Sequence, residues 1–191
     1  MKKEDHDKPT MAVEDDGEII LEVEMDRENA DWIRAARKKK MRRFDWKVLN
    51  KQQVGSYAEY FVKMEFTMYG FQVYTTEVDD RGIDFVTRYE NSHFIEIQVK
   101  SIRKPGYVFM QKSKYDLNGN LYLALAILNQ EEPPKLFLIP SNAWKSPNSL
   151  FTDKDYEGKK SKPEWGLNLS KKNMGQLEMY RFDRVIETLI K

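Results

Sequence analysis

The chain has no cysteine and only two histidines, His6 and His93. Disulfides, thiolate nucleophiles and cysteine-based zinc or iron–sulfur centres are thereby excluded, and so is a multi-histidine metal site. Any bound metal must be one that accepts oxygen ligands, with magnesium first and manganese as its substitute. Charge of one sign is also missing, because the net charge is +1 at neutral pH. The molecule as a whole therefore exerts no field that would select a polyanion. No apolar run approaches the ~20 residues a bilayer span requires. The charged amino terminus is not followed by a signal-like apolar core. These absences lead to the expectation of a soluble cytoplasmic protein with no membrane partner.

The 191 residues fit one compact domain with a real core, the usual domain spanning roughly 100–200 residues. Ahead of that domain the charge is segregated. Residues 1–28 carry four basic side chains against eleven acidic ones, including Glu14, Asp15, Asp16, Glu22 and Glu24. This composition predicts a largely disordered tail with at most a short strand over 19–23. Residues 29–49 reverse the sign and read as a basic helical extension with Trp32 and Ile33 as its apolar anchors. Arg37, Lys38, Lys39, Lys40, Arg42 and Arg43 could track phosphates there; a solvated helix is the plainer reading.

The globular domain is expected over 50–191. Val54, Tyr57, Ala58, Phe61, Met64 and Met68 recur at helical spacing, and Gly70 stands where a helix would stop. Strands are predicted over 71–76, 82–89 and 94–101, with 106–110 as an extension of the sheet. The run 121–128 is apolar throughout, as in a strand buried on both faces. A further strand is predicted over 135–139 after Pro133 and Pro134, and a short capped turn at 141–144. Residues 145–164 read as an irregular excursion, and the chain closes with an amphipathic helical segment. The order predicts an α/β fold with a mixed central β-sheet flanked by α-helices.

One stretch concentrates the chemistry. Arg81-Gly82-Ile83-Asp84-Phe85 is followed by Ile95-Glu96-Ile97-Gln98-Val99-Lys100. Side chains two apart on a strand share a face, so Gln98 and Lys100 point the same way. If the apolar residues of both strands share a core, Asp84 joins Glu96, Gln98 and Lys100 on the polar face. A two-residue turn at Asn91-Ser92 would pair Asp84 with Val99 on the wrong face. A three-residue turn or bulge is therefore required, which shifts the register by one. In that arrangement Asp84 could ligate a divalent cation, Gln98 could add a neutral oxygen, and Lys100 could hold a phosphate or its attacking water. Glu59, one helical turn after Gly55, could bind a metal-bound water or a second metal.

The pattern Gly55-x-x-Ala58-Glu59 on a helix, then Arg81-Gly82-Ile83-Asp84, then Gln98-Val99-Lys100, resembles the PD-(D/E)XK nuclease superfamily. It is most similar to the branch with Gln in place of the second acid, as in Mrr-type enzymes and related prokaryotic domains. The resemblance covers residues 50–140. It implies a restriction-endonuclease-like core and magnesium-dependent hydrolysis of phosphodiester bonds in nucleic acid, DNA foremost. By position it implies Asp84, Gln98, Lys100 and Glu59 as the catalytic set, with Asp84, Gln98 and Glu59 on the metal. Such a small core implies a homodimer or a separate recognition subunit. A domain that binds nucleic acid or a protein partner without cutting is the alternative, because an amide is a weaker magnesium ligand than a carboxylate. Glu96 could supply a compensating charge or be an exposed strand-edge acid. Arg81, Lys112 and Lys114 are further candidates for phosphate contact; Arg81 could instead pair with Asp79 or Asp80. Tyr122, Phe137 and Trp144 read as packing residues, and His93 as structural.

Overall fold

The computed structural model describes residues 12–13, 19–20, 43–75 and 81–190. The chain forms two units, Met1–Arg43 and Phe44–Lys191. In the first, strands β1 (Ala12–Val13) and β2 (Ile19–Ile20) pair antiparallel. The remainder of the acidic tail, the basic segment through Arg42, and the acids Asp79 and Asp80 lie outside the described residues.

The second unit begins ahead of Asn50. Trp46 is only 2% exposed and donates its indole N–H to the Asn129 carbonyl at 2.8 Å. Asn50 then starts helix α1 (Lys51–Met68) with a reciprocal cap. Its side chain accepts from the Gln53 N–H, and the Gln53 side chain accepts from the Asn50 N–H, both at 2.9 Å. Gly70, at φ +83°, turns the chain out of the helix.

The buried row of α1 is Val54, Ala58, Val62 and Phe66. Met64 and Met68, assigned to the core by spacing, are 64% and 81% exposed. Two adjacent rows of this helix are apolar, and only one can face the sheet. The row with small Ala58 lets the helix approach closely, while Phe66 makes edge contacts with Phe71, Phe85 and Phe182 at 5.1–5.7 Å.

The central sheet has five strands in the order β3 (Phe71–Thr75), β4 (Phe85–Tyr89), β5 (Ile95–Ile102), β7 (Leu121–Ile127) and β8 (Lys135–Pro140). Only β5 and β7 run parallel, so the sheet is mixed. Strand β7, interior to the sheet, is buried on both faces, with Leu123, Ala124, Leu125 and Ala126 all at 0% exposure, which explains its unbroken apolar sequence. The parallel connection from β5 to β7 passes through β6 (Tyr107–Gln111) and a 3-10 turn at Lys112–Lys114.

One face of this sheet packs on α1 and α3 (Phe182–Leu189), which contributes Phe182 and Ile186. The other carries a second core shared with β6, β9 (Phe151–Lys154), β10 (Glu164–Asn168) and the short α2 (Met174–Leu177). The mixed central sheet with flanking helices is thus present. Two expectations about its surroundings are corrected. Strand β6 joins a separate antiparallel sheet, ordered β6-β10-β9, rather than extending the central one. The segment 145–164 is not an irregular excursion throughout, since β9 lies within it and β10 begins at its end. Trp144 is 1% and Phe137 2% exposed, as packing residues should be, whereas His93 is exposed at the β4–β5 turn.

Candidate active site

Strands β4 and β5 pair Phe85 with Ile97, Val86 with Glu96 and Thr87 with Ile95. This register is one residue off that of a two-residue turn, and the ladder ends at Phe85. The apolar side chains of the hairpin, Phe85, Ile95, Ile97 and Val99, enter the core under α1. Glu96, Gln98 and Lys100 therefore share the opposite face, where the ladder partners of Gln98 and Lys100, Leu123 and Leu125, enter the second core.

At Asp84 the ladder breaks. The Asp84 N–H donates to the Ile97 carbonyl at 2.9 Å, one residue out of register with the Phe85–Ile97 pair, and the Val99 N–H is met by the Asp84 carboxylate, Oδ2, at 2.5 Å. A side-chain oxygen replaces the backbone carbonyl that a continuing strand would offer. This bond fixes the carboxylate beside the edge of β5 and satisfies an amide otherwise left open.

Gln98 is 6% exposed, and its amide oxygen Oε1 is buried with no hydrogen-bond partner. A buried carbonyl without a donor costs about 1–3 kcal/mol. Such an oxygen is suited to a hard cation or an incoming donor. The amide nitrogen lies against Gly82. That residue sits at φ +78°, and a Cβ there would lie 2.6 Å from Gln98 Nε2. The glycine therefore serves both backbone geometry and close approach. Lys100 is half-buried two residues further along β5, and its ladder partner Leu125 lies in the second core.

Glu59 is placed differently. Arg103, just past β5, donates to the carbonyls of Trp46 and Leu49 at 2.9 and 3.0 Å, so α1 starts near the end of β5 and runs back along it. Lys63 Nζ stands 5.6 Å from the Phe85 ring centroid. Glu59, one turn earlier, is thus level with the point where β4 departs at Asp84, but on the helix side of the sheet. A Cβ at Gly55 would meet nothing within 4 Å, so the helix surface beside Glu59 is open. Gln98 and Lys100 share the face opposite α1.

The basic candidates also separate. Lys112 is bound by Asp153 and by Asp155 at 2.6 Å, and its ammonium lies 4.3 Å from the Trp165 ring centroid. Burial opposes its charge, but the hydrogen bonds from it to these two acids more than offset that and hold its pKa above the ordinary lysine value. Lys112 therefore fastens the Gln111 end of β6 to β9. Lys114 is exposed, and its backbone oxygen and Cβ pack beside Gly82, each 3.7 Å from the position a Cβ would take. Arg81 is exposed next to it, as is Arg43 in the other unit. Arg37, Lys38, Lys39, Lys40 and Arg42 lie outside the described residues.

The donor set suits an oxygen-binding cation: one anchored carboxylate and one buried, unpartnered carbonyl oxygen. Among the described residues there is no cluster of three or more histidine, aspartate or glutamate side chains that could hold a metal. No helix among them is long and apolar enough to cross a membrane. Sequence reasoning reached the common face of Gln98 and Lys100, and the shifted register, from strand alternation. It missed the Val99–Asp84 bond and the steric role of Gly82, for which the only signal was a glycine two residues before the aspartate.

No protein-family model matches the chain, and no curated protein does. Among solved structures the chain is similar to a bacterial homing endonuclease, with 16% identity, coverage of 74% of this chain and 91% of that one, and a TM-score of 0.44. A likeness of that size assigns no role to any residue.

Proposed function

We propose that this protein is a metal-dependent nuclease of the PD-(D/E)XK type that hydrolyses phosphodiester bonds in DNA. The observation that carries the reading is a buried, orphaned Gln98 oxygen one residue along β5 from Val99, whose N–H anchors the Asp84 carboxylate. Magnesium or manganese held by these two oxygens would neutralise phosphoryl charge and acidify a water molecule. Asp84 presents its charge in a fixed orientation because the Val99 N–H holds one of its oxygens. Gln98 offers an oxygen that has no competing donor. Lys100, on the same face, binds a non-bridging phosphate oxygen and orients the attacking water. Glu59 approaches from the helix side and accepts a proton or a water near the exposed edge of β5. In the net reaction a water oxygen bonds to phosphorus, the ester oxygen leaves, and the water proton passes to solvent or to that leaving oxygen.

Plasmid cleavage by the wild type, Asp84→Ala and Lys100→Ala tests this reading. Magnesium-dependent cutting should fall at least about 100-fold in each variant, with the circular dichroism spectrum unchanged. Full cleavage by either variant would remove the assignment.

A second reading is favoured by the lack of a three-carboxylate cluster among the described residues: a nuclease-like domain that binds nucleic acid or a protein partner without cutting. It predicts that the wild type binds DNA and leaves it intact in magnesium and in manganese.

A further inference from the structure

The second sheet covers only part of the face that carries Gln98 and Lys100. Among the described residues, none of β3 or β4 belongs to the second core, and Gln72 and Tyr74 on that half of the face are exposed. On the same face as Gln98, two residues earlier on β5, is Glu96, which pairs with Val86 of β4, and Tyr74 of β3 pairs with Val86 in turn. Together with Phe94, Asn118 and Asn120 these residues line a cavity of about 330 Å³. Glu96 and Gln98 are two residues apart on one strand, or about 6.6 Å. The cavity is therefore the immediate neighbour of the Gln98 position.

Its walls are a mixture of flat apolar rings and polar ends. Tyr74 and Phe94 meet edge to face at 5.4 Å and remain 42% and 47% exposed. Both are braced from behind. The Tyr74 hydroxyl donates to Gln72 Oε1 at 3.0 Å, and Arg88, which donates Nε–H to the same oxygen at 2.8 Å, lies 4.8 Å from the Phe94 ring centroid. The orientation of Asn118 is also fixed: its amide oxygen accepts from the Asn120 and Leu121 N–H groups at 2.9 and 3.1 Å. Its NH2 is thereby left as a donor. The cavity presents two aromatic rings, a half-buried carboxylate and an amide donor, which match the π-face, the amino group and the ring acceptor of a nucleobase.

We propose that this cavity is a subsite for an unpaired nucleobase carrying an exocyclic amino group, on the strand whose phosphate lies at Asp84. The proposal rests on the reading of Asp84, Gln98 and Lys100 as a phosphodiester site. The base stacks on Tyr74 or Phe94. Glu96 accepts its amino N–H and Asn118 donates to its ring nitrogen or carbonyl. A base held in a duplex cannot offer both its face and its pairing edge, so the substrate is single-stranded or locally unpaired beside the cleaved bond. Cytosine fits this pattern. Thymine does not, because its single ring N–H is flanked by two carbonyl oxygens that face the Glu96 carboxylate.

The test is binding of short oligo-dC and oligo-dT of equal length, followed by fluorescence anisotropy in EDTA, for the wild type, Tyr74→Ala, Phe94→Ala, Glu96→Gln and Lys100→Ala. The wild type should prefer oligo-dC several-fold. Glu96→Gln should level the two affinities, and loss of either ring should weaken binding about tenfold. Lys100→Ala should weaken both oligonucleotides equally. The exposed positions of Tyr74 and Phe94 leave the fold intact, which a thermal melt checks. Equal binding of the two oligonucleotides by the wild type overturns the proposal, as does unchanged affinity in both ring variants. Absence of any binding by the wild type overturns it together with the nuclease reading. Base-selective binding through Glu96 without magnesium-dependent cleavage retains the subsite and removes only the nuclease. Cleavage with no effect of the cavity variants retains the nuclease and removes only the subsite.

Discussion

At the scale of single residues, the account depends on how Asp84 and Gln98 are held. Asp84 is fixed by an N–H from the neighbouring strand, and the Gln98 amide lies against Gly82. Gly82→Ala should therefore act twice. The left-handed backbone penalty for a non-glycine residue is about 1–2 kcal/mol, and the new methyl would displace the Gln98 amide. Urea denaturation should report the first effect, and a loss of manganese affinity larger than the stability change explains should report the second. A variant that keeps full metal affinity would detach Gln98 from the site. The two neighbouring lysines should also behave differently. Lys114→Ala, beside Gly82, should weaken DNA binding with little change in melting temperature. Lys112→Ala should lower the melting temperature by releasing Asp153 and Asp155 and leave DNA affinity unchanged. Equal effects of both on DNA affinity would contradict this division.

At the scale of elements, helix α1 tests the packing. Phe66 touches three other rings in the core, so Phe66→Ala should cost about 3–5 kcal/mol. Met64→Ala, at a 64% exposed position, should stay within about 0.5 kcal/mol. Chemical denaturation decides between this row and the one that contains the methionines. That ambiguity shows what the sequence could carry. Helical spacing announced α1, but two apolar rows fit the same period, and the choice between them is made by contacts from β4 and α3 that lie far away in the chain. Strand alternation was less ambiguous. It set Gln98 and Lys100 on one face and required the shifted register that β4 and β5 adopt. The second sheet was nearly invisible. Strand β9 offers only Phe151 as a core residue, and β10 carries Glu164 and Gly166 on its outer side, where the Tyr107 ring lies across the glycine. Without that sheet, the burial of Gln98 could not be anticipated, and an amide at that position looked merely like a weaker substitute for an acid.

At the scale of the whole molecule, the near-zero net charge conceals a local asymmetry in the basic segment 29–43. If Arg37, Lys38, Lys39 and Lys40 contact DNA phosphates, replacing all four by alanine should weaken binding uniformly across sequences. It should also reduce the slope of log affinity against log salt by roughly 0.9 for each phosphate no longer neutralised. An unchanged slope would assign these residues to solvent. The central claim is that Asp84 and the orphaned oxygen of Gln98 form a cation site that makes the β4–β5 junction hydrolytic. Isothermal titration calorimetry with manganese addresses it most directly, using the wild type, Asp84→Asn and Lys100→Ala. Saturable binding by the wild type, lost in Asp84→Asn and retained in Lys100→Ala, is the predicted result. Undiminished binding in Asp84→Asn, or none in the wild type, would contradict it.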